Sequence, residues 1–376
     1  MNSVQYFSAI KLGYIYKRML KPVLFKFDPE FVHDRFTNVG VLLGSNPITR
    51  GITSFYLKYS NKILEQEVLG IQFKNPVGLS AGFDKNAQLL KIIPSVGFGH
   101  MEVGSVTAES YEGNEKPRLR RLPKSKALVV YYGLKNIGVD KIIERLKKIR
   151  HNDFKFSVSI AKTNCLKTAL EDAGIEDYAI SLEKLSKANL GDFYTINISC
   201  PNTFGGEPFT TPKLLNKLLV RLDRVKHNKP VFIKMPINLE WKDFNDLLVV
   251  ASKHNVQGVI IGNLTKARDP KLILDKLPED QKGGISGLPT QKLCNDLIKK
   301  TYANYKDRFI IVGVGGIFSA EDAYEKIKLG ASLLQMITGM IFEGPQVIGS
   351  INRGLAKLIA KDGYKNISEA IGSYHK

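Results

Sequence analysis

A cation inside an apolar run, a thiol among amides, and glycines after late apolar runs are the features of this chain placed for chemistry. Lys234 lies within Val231-Phe232-Ile233-Lys234-Met235. A buried cation is costly unless negative charge meets it, so Lys234 implies either a carboxylate partner or an electron-rich ligand ring. Cys200 lies in Asn197-Ile198-Ser199-Cys200-Pro201-Asn202, and Asn263 ends another apolar run. Amides offer a donor beside an acceptor and can read the imide edge of a heterocycle. A free thiol titrates near pH 8.5, far below a hydroxyl, which suits a base; a lone cysteine is also often a small buried filler. In Ser80-Ala81-Gly82-Phe83-Asp84-Lys85 the small residues admit a planar ring close to the backbone. Lys85 there faces an anionic ligand or plain solvent. Gly283 to Gly287, Gly313 to Gly316 and Thr338-Gly339 supply free amides of the kind that cradle phosphate.

These residues need elements to bring them together. From about residue 70 the chain alternates short β-rich runs with helical stretches. The runs are Phe73–Ala81, His100–Thr107, Phe156–Ala161, Phe193–Ser199, Pro230–Pro236, Gly258–Asn263, Phe309–Gly316 and Leu333–Gly339. Most are continuously apolar, as parallel strands covered on both faces are. Helical patterns occupy several intervals, among them Thr211–Lys226, Trp241–His254, Thr290–Tyr305 and Ala320–Leu329. Eight such units predict an α/β fold, a (β/α)8 TIM barrel, with a doubly wound open sheet as the other arrangement of the same pattern. In a barrel the chemistry gathers at the C-terminal strand ends, where the residues above fall.

Residues 1–60 read differently and are expected to form a small helical extension, leaving residues 61–376 for the barrel. Tyr6, Phe7, Ile10, Tyr14, Met19, Leu20 and Leu24 recur at roughly helical spacing among Lys11, Lys17, Arg18, Lys21 and Lys26. That composition fits a basic amphipathic helix in a membrane interface, and equally a helix packed on the barrel with a solvated basic face. A second apolar stretch, Phe31 to Leu43, ends at the loop signal Gly44-Ser45-Asn46-Pro47.

The formal net charge of +19 admits nucleic acid, an anionic membrane surface or an anionic small ligand as partner. No zinc-ligand spacing, RNA-binding signature or aromatic–basic interleaving is present, which argues against nucleic acid and a metal site. The cysteines, Cys165, Cys200 and Cys294, are sparse and odd in number, as in a reducing compartment. No run reaches the roughly 18 apolar residues of a membrane span, and the N-terminus does not read as a secretory signal.

The first-strand motif Asn75-Pro76-Val77-Gly78-Leu79-Ser80-Ala81-Gly82-Phe83-Asp84-Lys85 resembles that of the dihydroorotate dehydrogenases. So do Gly113-Asn114-Glu115-Lys116-Pro117-Arg118, Asn197 to Asn202, Gly283 to Gly287 and Gly313 to Gly316. Phe27-Asp28-Pro29-Glu30 with His33 looks like the N-terminal extension of the class 2, quinone-linked enzymes. The resemblance implies bound FMN and oxidation of dihydroorotate to orotate in pyrimidine biosynthesis. It implies Cys200 as the base and Lys234 as the flavin lysine. Substrate contacts would come from Lys85, Asn197, Asn202, Asn263, Tyr131 and Gly133. Flavin contacts would come from Ser80, Ala81, Gly82, Lys85, Ser105, Ser159, Asn197, Lys234, Gly262, Gly287, Gly315, Gly316, Ile337 and Thr338, the phosphate falling on Gly287, Gly316 and Thr338. His33 and Arg121 would line a quinone tunnel. A monomer or homodimer attached peripherally to the cytoplasmic face of the inner membrane is the implied setting.

Several positions depart from the family pattern. Class 2 enzymes carry Ser as base, whereas Cys200 and the following Gly205-Gly206-Glu207-Pro208-Phe209 are similar to class 1. A substrate-binding Asn aligns with Val130, and an Asn-Thr pair reads Asn263-Leu264. Gly262 stands for a Thr, Ser159 for an Asn and Ile337 for a Tyr. Each missing amide partner leaves a buried ligand edge unpaired, at about 1–3 kcal/mol. Tyr131 or Tyr132 would be the nearest replacement hydroxyls. A related FMN barrel oxidoreductase acting on a less polar substrate is the alternative these changes raise.

Overall fold

The apolar runs become eight parallel strands, seen in a computed structural model that describes residues 11–149 and 154–375. They are β1 (Val77–Leu79), β2 (His100–Val106), β3 (Lys155–Ile160) and β4 (Phe193–Asn197). β5 (Val231–Met235), β6 (Gly258–Ile261), β7 (Ile310–Val314) and β8 (Leu333–Met336) complete the set. Each pairs with the next in chain order, and β8 closes on β1 as a barrel. The connecting helices bury one stripe. Pro212–Leu222 buries Leu215, Leu218, Leu219 and Leu222, and Trp241–Ala251 buries Phe244, Leu247, Leu248 and Ala251. That spacing of three and four residues puts one face on the barrel, at roughly 1.5–3 kcal/mol per buried side chain.

The first run divides. Ile71–Phe73 leaves the barrel and pairs antiparallel with Gln66–Val68. Pro76 has no N–H to continue a ladder, and Asn75 turns the chain by accepting the Val77 N–H through Oδ1 at 3.0 Å. The hairpin packs Phe73 among His100, Phe193 and Phe232 at the N-terminal ends of the strands.

A second sheet was not expected. Leu119–Leu122, Ala127–Val130 and Gly284–Gly287 form three antiparallel strands, with Val130 opposite both Leu119 and Gly284. The Gly283–Gly287 segment is therefore mostly strand.

Two helices dominate the extension: α1 (Pro29–Ser45) and α2 (Pro47–Leu57). Asp28 and Asn46 cap them by accepting the N–H groups of Phe31 (2.8 Å) and Ile48 (2.7 Å), each with proline at the first helical position. Before α1, Tyr16–Leu20 and Lys21–Leu24 form a short helical stretch. Tyr16 donates to the Ile341 carbonyl (2.6 Å) and Lys21 to that of Phe342 (3.2 Å). Lys21 is thus turned onto the barrel rather than onto a solvated face. Tyr6, Phe7 and Ile10 lie outside the described residues. The outer side of the extension is apolar, and Leu42 and Ile48 are each 70% exposed.

Candidate active site

The C-terminal strand ends surround a cavity of about 1260 Å³, its open mouth included. Lys234 rises into it from β5. Its Nζ donates to Ser80 Oγ at 3.2 Å and stands 3.9 Å from Glu102 Oε1. Burial pulls the Lys234 ammonium below its ordinary value, and Glu102 opposes that. Glu102, fully buried on β2, accepts through Oε2 from Thr195 Oγ1 (2.8 Å), Ser157 Oγ and Gln335 Nε2 (both 3.3 Å). So the inward lysine has a carboxylate below it and the open cavity above it. The sequence reading missed Glu102, although an acid inside an apolar run was a signal of the same kind as Lys234.

An amide and hydroxyl network lies beside Lys234. Asn197 Nδ2 donates to Ser105 Oγ (2.9 Å), and Ser105 shares a hydrogen bond with Ser159 Oγ (2.8 Å). Ser159 does not line the cavity; it stands behind Ser105 and orients it. Asn263 Nδ2 donates to the Ser199 carbonyl and hydroxyl, both at 2.8 Å. Asn202 Nδ2 donates to the Val130 carbonyl at 2.9 Å, tying the β4 loop to the second sheet. Val130 and Leu264 both line the cavity, so its wall is apolar there.

Cys200 lines the cavity and is a free thiol. Burial pushes its thiol up to about 11; the Asn202 N–H and the charges of Lys162 and Lys234 pull the other way. The reading of a thiol poised near pH 8.5 therefore needs correcting: the folded site raises it. The loop after Cys200 is held at Phe204, whose N–H donates to Asn164 Oδ1 (2.6 Å) and whose carbonyl accepts from Lys162 Nζ (2.9 Å).

The late glycines gather on one side. Gly287, Gly315 and Gly316 line the cavity with φ of 97°, 87° and 68°, a region that favours glycine. A side chain on any of them would collide: the added Cβ would lie 2.3 Å from Gln291 Cβ at Gly316. Thr338 joins them, its hydroxyl sharing a hydrogen bond with Ser286 Oγ (2.9 Å). Across the cavity a Cβ on Gly82 would meet only Ile337 Cδ1, at 4.0 Å, and would otherwise fill open space. Ser80, Ala81, Gly82, Gly262 and Ile337 thus leave room for a ring, with the glycines at one edge for a phosphate. These residues fit a flavin mononucleotide.

The other end of the cavity reaches α1. His33 Nε2 is 3.3 Å from Lys85 Nζ, which also lies 4.1 Å from the Tyr132 ring centroid. Burial, helped by Lys85 and Lys135, draws His33 down to about 3, so its ring is neutral. Burial likewise lowers Lys85 to about 8, against the carboxylate of Asp34. Gly133 lines this part, while Tyr131 does not: it lines a separate outer depression with Arg268 and Lys282. Arg121 also stays off the cavity wall; it donates to the Phe27 carbonyl (2.8 Å) and lies over the Phe25 ring.

A family model described as dihydroorotate dehydrogenase matches residues 63–359. A protein named dihydroorotate dehydrogenase (quinone) from Nautilia profundicola is 37% identical over 363 residues, covering 94% of this chain and 96% of its own. One of the same name from Nostoc punctiforme is 36% identical, covering 95% of this chain and 98% of its own. The solved structure of DHODH from Eimeria tenella in complex with ferulenol is 26% identical, with a TM-score of 0.80 over 93% of this chain and 96% of that one. The fold is therefore shared, and the chain belongs to the dihydroorotate dehydrogenase family.

Proposed function

We propose that this chain oxidises (S)-dihydroorotate to orotate with bound FMN and passes the electrons to a membrane quinone. The observation that carries this reading is the continuity of one cavity. Cys200, Lys234 and three asparagines meet in it, the glycine cradle opens from it, and His33 lines it under α1. When bound, FMN supplies hydride acceptance from the substrate carbon and onward electron transfer. The chain does the rest. Cys200 takes the proton from C5. Asn197, Asn202 and Asn263 orient the substrate ring, and Lys85 meets its carboxylate. Lys234 would face the N1–C2=O edge of the bound flavin, and Gly287, Gly315, Gly316 and Thr338 would hold its phosphate.

Residues 1–60 serve as the docking segment and 61–376 as the FMN barrel. Among the described residues no helix is long and apolar enough to cross a membrane. The exposed Met19, Val23, Leu42, Ile48, Ile52 and Phe55, set among Lys17, Arg18 and Arg50, support peripheral attachment instead. The cytoplasmic face of the inner membrane is the surface this composition suits. Removing residues 1–57 should abolish detergent-dependent quinone reduction and leave flavin reduction by dihydroorotate intact; loss of both would refute this division.

The decisive test is to purify the yellow protein and mix it anaerobically with L-dihydroorotate. Rapid loss of the oxidised-flavin band at about 450 nm supports the reading. A second reading, a flavin barrel acting on a less polar substrate, is favoured by Val130 and Leu264 on the cavity wall. It predicts a flavin band that dihydroorotate leaves unchanged.

A further inference from the structure

We infer that Glu102 is a positioning residue that keeps Lys234 a cation whether the flavin is oxidised or reduced. The inference rests on the flavin reading above. Glu102 is fully buried and Lys234 is 4% exposed. Either charge alone in such surroundings would be driven neutral. Together they stabilise each other, and the way Glu102 is held shows which of its oxygens does this. Oε2 is taken by donors from three other strands, Ser157 of β3, Thr195 of β4 and Gln335 of β8. Oε1 has no hydrogen-bond partner among the described residues and faces Lys234 Nζ at 3.9 Å. The polar donors thus fix the carboxylate and leave one oxygen for the ammonium. Lys234 Nζ uses one of its donors on Ser80 Oγ, and the cavity lies open to the others.

Besides Glu102, the ionisable group acting on Lys234 is the Cys200 thiol, which stays protonated at neutral pH because burial raises it. His100 shares the inner face of β2, two residues below Glu102. Burial draws it down to about 3, so it adds no charge.

Reduction places negative charge on the N1–C2=O edge that Lys234 faces. With Lys234 already protonated, two electrons enter with one proton, which goes to the flavin. Without Glu102, Lys234 is neutral beside the oxidised ring and binds a second proton, from solvent, as the two electrons arrive.

The test is the pH dependence of the midpoint potential of the FMN-loaded protein between pH 7 and 9. One proton per two electrons changes the equilibrium tenfold per pH unit, or about 30 mV. Two protons change it hundredfold, or about 59 mV. The unaltered protein should follow the first slope and Glu102→Gln the second. Glu102→Asp, which keeps the charge, should stay near the first. An unchanged slope in FMN-loaded Glu102→Gln overturns the inference. An unaltered protein that binds no flavin overturns the functional reading, and this inference with it. A Glu102→Gln protein that does not fold leaves a direct measurement on the unaltered holoprotein. The ¹⁵N signal of Lys234 Nζ, assigned by its loss in Lys234→Met, should be that of an ammonium at pH 8. A neutral amine there overturns the inference.

Discussion

At Cys200 the proposed base begins each turnover holding the proton it must first give up. Burial raises its thiol to about 11, so the reactive thiolate is a small fraction at neutral pH and grows tenfold per unit as pH rises. The kcat/KM for flavin reduction should therefore climb with unit slope below about pH 8 in stopped-flow measurements, since that parameter reports the free enzyme, and level off above it as Lys85 loses the charge that meets the substrate. A profile that is flat below about pH 8 would remove Cys200 from the proton transfer. Cys200→Ser should slow the step by orders of magnitude at pH 7. Val130 and Leu264 carry the second residue-scale prediction. Val130→Asn or Leu264→Thr places a polar group on the wall, worth about 0.5–1.5 kcal/mol if it pairs with the ligand. Orotate, titrated against the flavin spectrum, should bind about two- to tenfold more tightly; an unchanged affinity would place these positions outside substrate recognition.

Glu30 joins two elements. Buried at the start of α1, its Oε1 accepts from Arg118 Nη1 (3.1 Å) and Lys135 Nζ (3.2 Å), both from segments flanking the second sheet. Removing one member of a buried pair leaves uncompensated charge, at roughly 3–5 kcal/mol. Glu30→Ala should loosen α1 and α2, seen as rapid protease cleavage before residue 60, and should raise the KM for quinone. Flavin reduction by dihydroorotate should stay unchanged. How far elements could be read from the chain depended on how local their signals are. All eight barrel strands lie within or beside the apolar runs, because a strand covered on both faces must be apolar throughout. The α1–α2 break was readable at Asn46-Pro47, since cap and proline are local chemistry. The second sheet was not. Leu119-Arg120-Arg121-Leu122 has mixed composition, Gly284–Gly287 looks like a loop, and its partner Ala127–Val130 is far away in sequence. That Tyr131 and Arg121 stay off the cavity wall was not readable for the same reason, since that sheet decides which way they face.

For the molecule as a whole, buried neutral histidines set the response to acid. His33 and His100 are both drawn down to about 3 by burial. In the unfolded chain each titrates near 6.5. Below that pH the unfolded state binds protons that the native state refuses, so stability is present above about 6.5 and is lost as pH falls toward 3. Urea midpoints should decline over that window, and less steeply in His100→Phe if that protein folds. The hairpin of Gln66–Val68 and Ile71–Phe73 has a different consequence. With Phe73 set among Phe193 and Phe232, the barrel is stoppered at its N-terminal end. Among the described residues the cavity is a vessel with one mouth, and α1, through His33, lines part of it. On the proposed function, a water-soluble acid and a lipid-soluble oxidant would then share that rim, the acid arriving from the aqueous side and the oxidant from the membrane side. Neither can be pushed out through the floor by the other, so the two half-reactions should proceed as separate visits, with parallel lines in double-reciprocal plots at varied quinone.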